Sequence, residues 1–251
     1  MGFQYNGVHS KTMKIKAHLT GWQVVPSLRS NTETVPGKAG LADFGADSGE
    51  RYIDVSCNIY PQKNFTELVS LLDRAAAWLD PTAGTKQLVL DDVPDRYFNA
   101  RLSEAVDCER LLRAAGAFSL RFLCPDPYAY ALDDEGIHEI EREVGNTDSE
   151  PVYLLRGVIP SGASSYVSIS TDGAELRIIG PLVAGEILVI DAGMVTAKVT
   201  DSAGNTLRNG LPCLQEISFP LLRRGMNTVE ISAVGGASFT ELRIQAKSRW
   251  R

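Results

Sequence analysis

From Val152 to the end, the chain breaks into short alternating runs separated by turns every eight to twelve residues or so. That rhythm constrains the fold more than any other feature. Val152–Val158, Tyr166–Ser170, Glu175–Ile179, Glu186–Ile190, Met194–Val199, Cys213–Phe219, Asn227–Ser232 and Phe239–Ala246 read as strands. Between them lie Asp172-Gly173, Ala184-Gly185, Asp191-Ala192-Gly193, Ser202-Ala203-Gly204-Asn205 and Asn209-Gly210, which are turn sequences. Period-two alternation without a helical stripe predicts an antiparallel β-sandwich for residues 136–251.

The first part of the chain is mixed. Lys14 to Leu19 alternates, with Ile15, Ala17 and Leu19 on one face, and Ile53, Val55, Cys57 and Ile59 repeat the pattern. Asn64 is a good N-cap, and Glu67 three residues on completes a capping box. Phe65, Leu68, Val69, Leu72, Ala75, Ala76 and Leu79 then form one apolar helical stripe that ends at Asp80-Pro81. The sequon Asn64-Phe65-Thr66 reads as that cap and not as a glycosylation site. Further strands are predicted at Gln87–Leu90, Arg96–Val106 and Ala117–Cys124, with Val93-Pro94-Asp95 as a turn. Strands, one helix and strands again make residues 1–135 an α+β domain. The polar stretch around Asp133-Asp134-Glu135, Glu139 to Glu143 and Gly145 to Pro151 reads as the linker.

Asn31 to Glu50 stands apart. Thr34-Val35-Pro36-Gly37-Lys38-Ala39-Gly40 and Gly45-Ala46-Asp47-Ser48-Gly49 are loop chemistry, too polar and Gly-rich to stabilise themselves. A loop of this length is expected to be ordered by a neighbouring molecule or to stay mobile.

Composition excludes several function classes. The net charge of −6 is spread evenly, with 14 Lys/Arg against 18 Asp/Glu in residues 1–135 and 11 against 13 in residues 136–251. Lys247-Ser248-Arg249-Trp250-Arg251 is the sole basic cluster, far short of the concentrated positive face that phosphate binding needs. Cys57, Cys108, Cys124 and Cys213 form no Cys-x-x-Cys pair and read as buried, reduced thiols. His9, His18 and His138 are the only histidines, none at metal-ligand spacing, and His18 reads as exposed on its strand. Asp91-Asp92 and Asp133-Asp134-Glu135 border turns, where acids are solvated, and no nucleophile elbow, P-loop or zinc-helix motif occurs. The expectation is a protein that is not an enzyme and takes no cofactor or metal. No run approaches the ~20 apolar residues of a membrane span. The start, Met1-Gly2-Phe3-Gln4-Tyr5-Asn6, has neither a signal-peptide nor a myristoylation pattern, which predicts synthesis in the cytoplasm of the producing cell. In the sandwich, Tyr166 and Trp250 are candidates for stacking on a sugar ring, so a carbohydrate-binding module with an adaptor domain is one functional reading.

The order of several segments points to another. Phe3-Gln4-Tyr5-Asn6-Gly7, Val35-Pro36-Gly37-Lys38-Ala39-Gly40 and Arg51-Tyr52-Ile53-Asp54-Val55 resemble the N-terminal domain of siphophage distal tail proteins. Gly116-Ala117-Phe118-Ser119-Leu120-Arg121-Phe122-Leu123-Cys124-Pro125-Asp126-Pro127-Tyr128 is similar to the end of that domain. Gly145-Asn146, Glu150-Pro151-Val152 and Leu221-Leu222-Arg223-Arg224-Gly225-Met226-Asn227-Thr228-Val229-Glu230-Ile231 extend the resemblance over nearly the whole chain. Ala39 departs from the family's loop motif, which often carries an acid there. The resemblance implies a mainly β protein with one main helix. It implies an N-terminal ring domain with a "belt" arm (1–135) and a C-terminal galectin-like or carbohydrate-module-like sandwich (136–251). It further implies a homohexameric ring at the tail tip of the virion, between the major tail tube protein and the tip hub or tail-associated protein. DNA would pass through without specific binding, no membrane would be involved, and the sandwich would face outward, where host cell-wall carbohydrate is a candidate ligand. On this resemblance Pro36, Gly37, Lys38, Gly40, Phe44 and Arg51 are the candidate subunit-interface residues.

Overall fold

The computed structural model describes residues 1–112, 115–136, 139–142, 145–162 and 164–251. His138 and Glu143, both considered above, lie outside the described residues. The chain forms two compact units, Met1–Ala129 with Arg251, and Tyr130–Trp250.

The first unit is built on an antiparallel sheet. Its neighbouring strands are, in spatial order, Val8–His9, Phe3–Tyr5, Lys86–Leu90, Val93–Leu102, Ala115–Cys124, Arg51–Ile59 and Ile15–Trp22. The first two pair through a two-residue turn, Asn6-Gly7, with φ of 50° and 77°. Positive φ at both positions is the conformation that matches strand twist, and it explains Asn-Gly there. The central strand Arg51–Ile59 alternates as expected, burying Ile53, Val55, Cys57 and Ile59.

The helix runs Phe65–Trp78, with Asn64 Oδ1 accepting from Glu67 N at 2.8 Å. The returning half of the capping box lands one residue early, as Lys63 N donates to Glu67 Oε2 at 3.3 Å. The inward face is Leu68, Leu71, Ala75 and Leu79, with Trp78 half-buried. The Trp78 ring stacks on Phe3 at 5.4 Å and its Nε1 donates to Tyr5 O at 2.9 Å. This rotates the predicted stripe: Phe65 (48% exposed) and Val69 (38% exposed) face solvent. The aromatic anchor at the helix end outweighs the simple count of apolar positions.

Four further expectations are corrected. The Asp91-Asp92 pair is the turn, and the strand starts at Val93 and ends at Leu102, short of Val106. Proline is tolerated near the start of a strand, so Pro94 does not break it. Cys213–Phe219 is no strand; Leu211–Cys213 is a single 3-10 turn followed by one bridge, Ile178 to Leu214. The supposed linker contains strands Glu135–Gly136 and Glu139–Arg142, the latter pairing with Gly225–Thr228. Thr206–Asn209 is a strand that turn composition had hidden.

The second unit is a sandwich. One sheet orders Glu135–Gly136, Ser238–Gln245, Val152–Val158, Ile187–Asp191, Thr196–Thr200 and Thr206–Asn209. The other orders Glu139–Arg142, Gly225–Val234, Tyr166–Thr171 and Ala174–Ile178. Leu155, Leu188, Val199 and Ile244 from the first sheet meet Val167, Ile169, Leu176 and Val229 from the second in one core. Tyr153 Oη, fully buried, shares a hydrogen bond with Thr171 Oγ1 across the layers at 3.1 Å. Gly157 permits a close approach, since a Cβ there would lie 2.3 Å from Ser238 O. Outside the core, Arg208 grips Glu186 through both guanidinium nitrogens and also donates to Pro181 O at 2.9 Å.

Two outcomes follow for stability. Leu155→Ala should cost about 2–5 kcal/mol in denaturant unfolding of the sandwich, because the site is fully enclosed. Hydrogen bonding to Arg208 holds the Glu186 carboxyl below its ordinary pKa, against the opposing pull of burial. Its contribution is therefore present above the unfolded-state value and is lost as pH falls through the lower folded-state one. Glu186→Gln should flatten that acid-side part of a stability-versus-pH curve.

Candidate functional site: an anchored hairpin arm

Leu28–Glu33 and Ala42–Ser48 pair antiparallel and bond to no other described strand. The segment predicted as loop is thus a two-stranded arm. Its turn is Val35-Pro36-Gly37-Lys38, closed by Lys38 N donating to Val35 O at 3.1 Å with Gly37 at φ 81°. Proline then glycine at the two central positions is the signature of a type II turn. Further along, Gly45 at φ 94° accompanies a register shift, and its N donates to Asp43 Oδ1 at 2.9 Å. Asn31 Nδ2 bonds Asp47 Oδ2 across the strands at 3.0 Å.

The arm has no core. Every residue of Leu28–Glu33 is exposed, and Leu28, Leu41 and Phe44 expose 60%, 59% and 69% of their surface. A lone hairpin in water is marginal, so its order comes from its base. There Ser27 N and Ser27 Oγ both donate to Glu50 O, at 3.1 and 2.7 Å, and Gly49 N donates to Ser27 O at 2.6 Å. A Cβ on Gly49 would fall 2.6 Å from Ser27 Oγ, so a larger residue there would push that hydroxyl off Glu50 O.

Beneath this neck lies Arg51, only 3% exposed. Its Nη1 donates to Gln23 O at 2.8 Å and its Nε to Pro127 O at 2.9 Å. Gln23 Oε1 in turn accepts from Tyr52 N at 2.9 Å. The guanidinium lies 5.9 Å from the Trp22 ring, which meets Phe98 edge-on at 5.8 Å. Burial lowers the Arg51 pKa from its ordinary value, the nearby Cys124 pulling the other way. Nη2 is buried without a hydrogen-bond partner.

The candidate interface residues therefore divide. Pro36, Gly37, Lys38, Gly40 and Phe44 lie on the exposed arm, whereas Arg51 is engaged within its own chain as the anchor. Its place on the buried face follows from alternation with Ile53 and Val55, a signal its charge conceals. The sugar-stacking candidates are not brought into one sheet. Tyr166 is half-buried in the four-stranded sheet, with Arg177 lying 5.1 Å from its ring, while Trp250 is half-buried in the short strand Arg249–Trp250. Among titratable groups, burial pushes the Cys57 and Cys124 thiols up to about 12, which makes them inert. His9 caps the turn Ser10–Met13 and bonds Asp91 Oδ1 at 2.9 Å, and His18 is exposed. Among the described residues no group of three or more His, Cys, Asp or Glu could hold a metal ion, and no helix is long and apolar enough to cross a membrane.

With the geometry in hand, comparison with known proteins is informative. Residues 9–124 match the family model of the phage tail protein RIFT-related domain. The chain is similar over 97% of its length to the Dit protein of phage SPP1 (96% of that chain, TM-score 0.70, 16% identity). That protein is described as a paradigm of the hub adsorption apparatus in phages infecting Gram-positive hosts. Two baseplate structures of phage p2 in its activated conformation are more distant. With Ca, TM-score is 0.51 at 9% identity over 92% of this chain and 89% of that one. With Sr, it is 0.54 at 9% identity over 98% and 99%. No curated protein sequence matches.

Arg51→Met should loosen the arm from its base. Each hydrogen bond from a charged donor contributes about 1.5–3 kcal/mol, so the variant should lose at least about that much stability. Hydrogen exchange at residues 23–27 should accelerate before that of the sheet.

Proposed function

Starting from a chain whose residues 9–124 form a phage tail RIFT-related domain and whose full length takes the fold of a siphophage distal tail protein, we propose that it is a structural ring component of the tail tip. Its N-terminal domains close head-to-tail into a ring that joins the tail tube to the tip hub. Six subunits is the number the family resemblance implies. The observation that carries this reading is the arm: a hairpin without a core, rigidly held at its base and presenting Leu28, Leu41 and Phe44 to solvent.

Such a feature has a physical use if another molecule covers it, because large apolar side chains left exposed along one projecting element are better satisfied in a contact than in water. Contact between a projecting arm and a different surface of the next copy is heterologous, and heterologous contacts that return to the starting point make rings. A net charge of −6 suits a conduit that lets DNA slide through unread. The partners in this reading are further copies of the chain, the tail tube protein on one side and the hub on the other. The sandwich is the outward module, with host cell-wall carbohydrate as its candidate ligand.

The neck defines a clean deletion. Ser27 O and Gly49 N already lie one hydrogen bond apart, so residues 28–48 can be replaced by Asn-Gly. The shortened protein should remain folded by circular dichroism and run as a monomer in native mass spectrometry. Rings that persist without the arm would sink the reading.

A further inference from the structure

The outward face of the four-stranded sheet in the second unit carries polar side chains with bonding capacity to spare. Alternation along Tyr166–Thr171 turns Val167, Ile169 and Thr171 into the core and leaves Tyr166, Ser168 and Ser170 facing out. On the neighbouring strand Ala174–Ile178, Glu175 and Arg177 lie beside Ser170 and Ser168 on that same face. One oxygen, Glu175 Oε1, accepts from Ser168 Oγ and also from Arg177 Nε, the latter at 2.8 Å. The guanidinium lies 5.1 Å from the Tyr166 ring, within cation–π range. The bond to Glu175 and its charge hold the Arg177 pKa above its ordinary value against desolvation, and Tyr166 and Glu216 add to this from close by. Arg177 is thus oriented through Nε and through its flat face. Among the described residues, its Nη1 and Nη2, Glu175 Oε2 and the side chains of Gln215 and Glu216 make no hydrogen bond.

A cleft of about 240 Å³ opens at these groups, lined by Glu175, Leu176, Arg177, Gln215 and Glu216. Its far wall is fixed, because Gln215 N donates to Arg177 O at 2.9 Å and Leu214 bridges to Ile178. The volume falls below the ~300–1,000 Å³ of clefts for drug-sized ligands, room for one sugar ring and little more. Adjacent hydroxyls on such a ring suit both kinds of spare group: the guanidinium fork donates to two neighbouring oxygens, and a carboxylate accepts from two hydroxyls. Charge then selects among sugars. Glu175, Glu216 and Glu230, which pairs with Ser170, outnumber Arg177, so a uronic acid or a phosphate is repelled. We propose that this cleft is a binding site for an uncharged pyranose unit of a glycan, with Arg177, Glu175, Gln215 and Glu216 on its hydroxyls. Tyr166 is a positioning residue: its ring supports the guanidinium and does not itself stack on the sugar. The proposal rests on the reading of the sandwich as the outward module for wall carbohydrate and supplies its site.

Saturation-transfer NMR on the full chain tests it, with glucose, galactose, N-acetylglucosamine and glucuronic acid as probes. Transfer is expected to at least one of the three neutral sugars and not to glucuronic acid. Arg177→Met should weaken that binding about tenfold or more, since it removes hydrogen bonds from a charged donor. Arg177→Lys should not restore it, because the planar fork is lost. Tyr166→Ala should weaken binding too, whereas Tyr166→Phe, which keeps the ring under the guanidinium, should not. The thermal midpoint should hold in the Arg177 variants, whose side chain is 42% exposed. Binding that survives Arg177→Met overturns the site and leaves the carbohydrate reading of the sandwich standing. A preference for glucuronic acid, or a Tyr166→Phe protein as weak as Tyr166→Ala, also overturns the proposal. Transfer to none of the probes overturns the site and the carbohydrate reading together. The ring reading fails separately, through rings that form with residues 28–48 removed.

Discussion

A buried cation holds the first unit to its shape. Arg51 sits where the alternation of its strand demands an apolar residue, and desolvating a guanidinium is costly. The return is geometric. Two backbone carbonyls, Gln23 O where the chain leaves toward the arm and Pro127 O just past the last long strand, are fixed by one planar donor. Lysine could not reach both in that fork. Since the arm has no core, this anchor and the Ser27–Glu50 neck set where it points.

Elements with one buried face were legible in the sequence. Arg51–Ile59 and most sandwich strands announce themselves because alternation mirrors burial, and the helix cap is explicit in Asn64 and Glu67. The helix face was misjudged because the sequence carries two apolar stripes. Only the Trp78 contacts to Phe3 and Tyr5 decide which one faces the sheet. Polar edge strands such as Glu139–Arg142 and Thr206–Asn209 are marked by backbone pairing, which composition does not reveal. The Asn6-Gly7 hairpin is the opposite case, a two-residue turn whose residue types alone specify it.

The same logic explains why the arm was read as a loop. Leu28-Arg29-Ser30-Asn31-Thr32-Glu33 has no inward face in the isolated chain, so no alternation marks it. Its turn was readable, since Pro36-Gly37 prescribes one conformation, while the strands on either side were not. Sequence patterns record burial, and an element with no buried face in its own chain leaves only its turn chemistry behind.

An exposed hairpin also offers two open edges, which invite uncontrolled pairing. This one is short, is bent by the register shift at Gly45, and carries Arg29, Glu33, Asp43 and Asp47 along its strands. Those features disfavour edge-to-edge growth. The arm and the outward helix stripe then make one physical statement. Each leaves apolar side chains exposed on the first unit, the arm held at its base by Arg51 and Ser27 and the helix at its end by Trp78. Holding them apart on one unit, the arm by Arg51 and the helix by Trp78, keeps both from being satisfied internally. In the ring proposed here, the arm's uncovered side chains are what direct the chain to its neighbours.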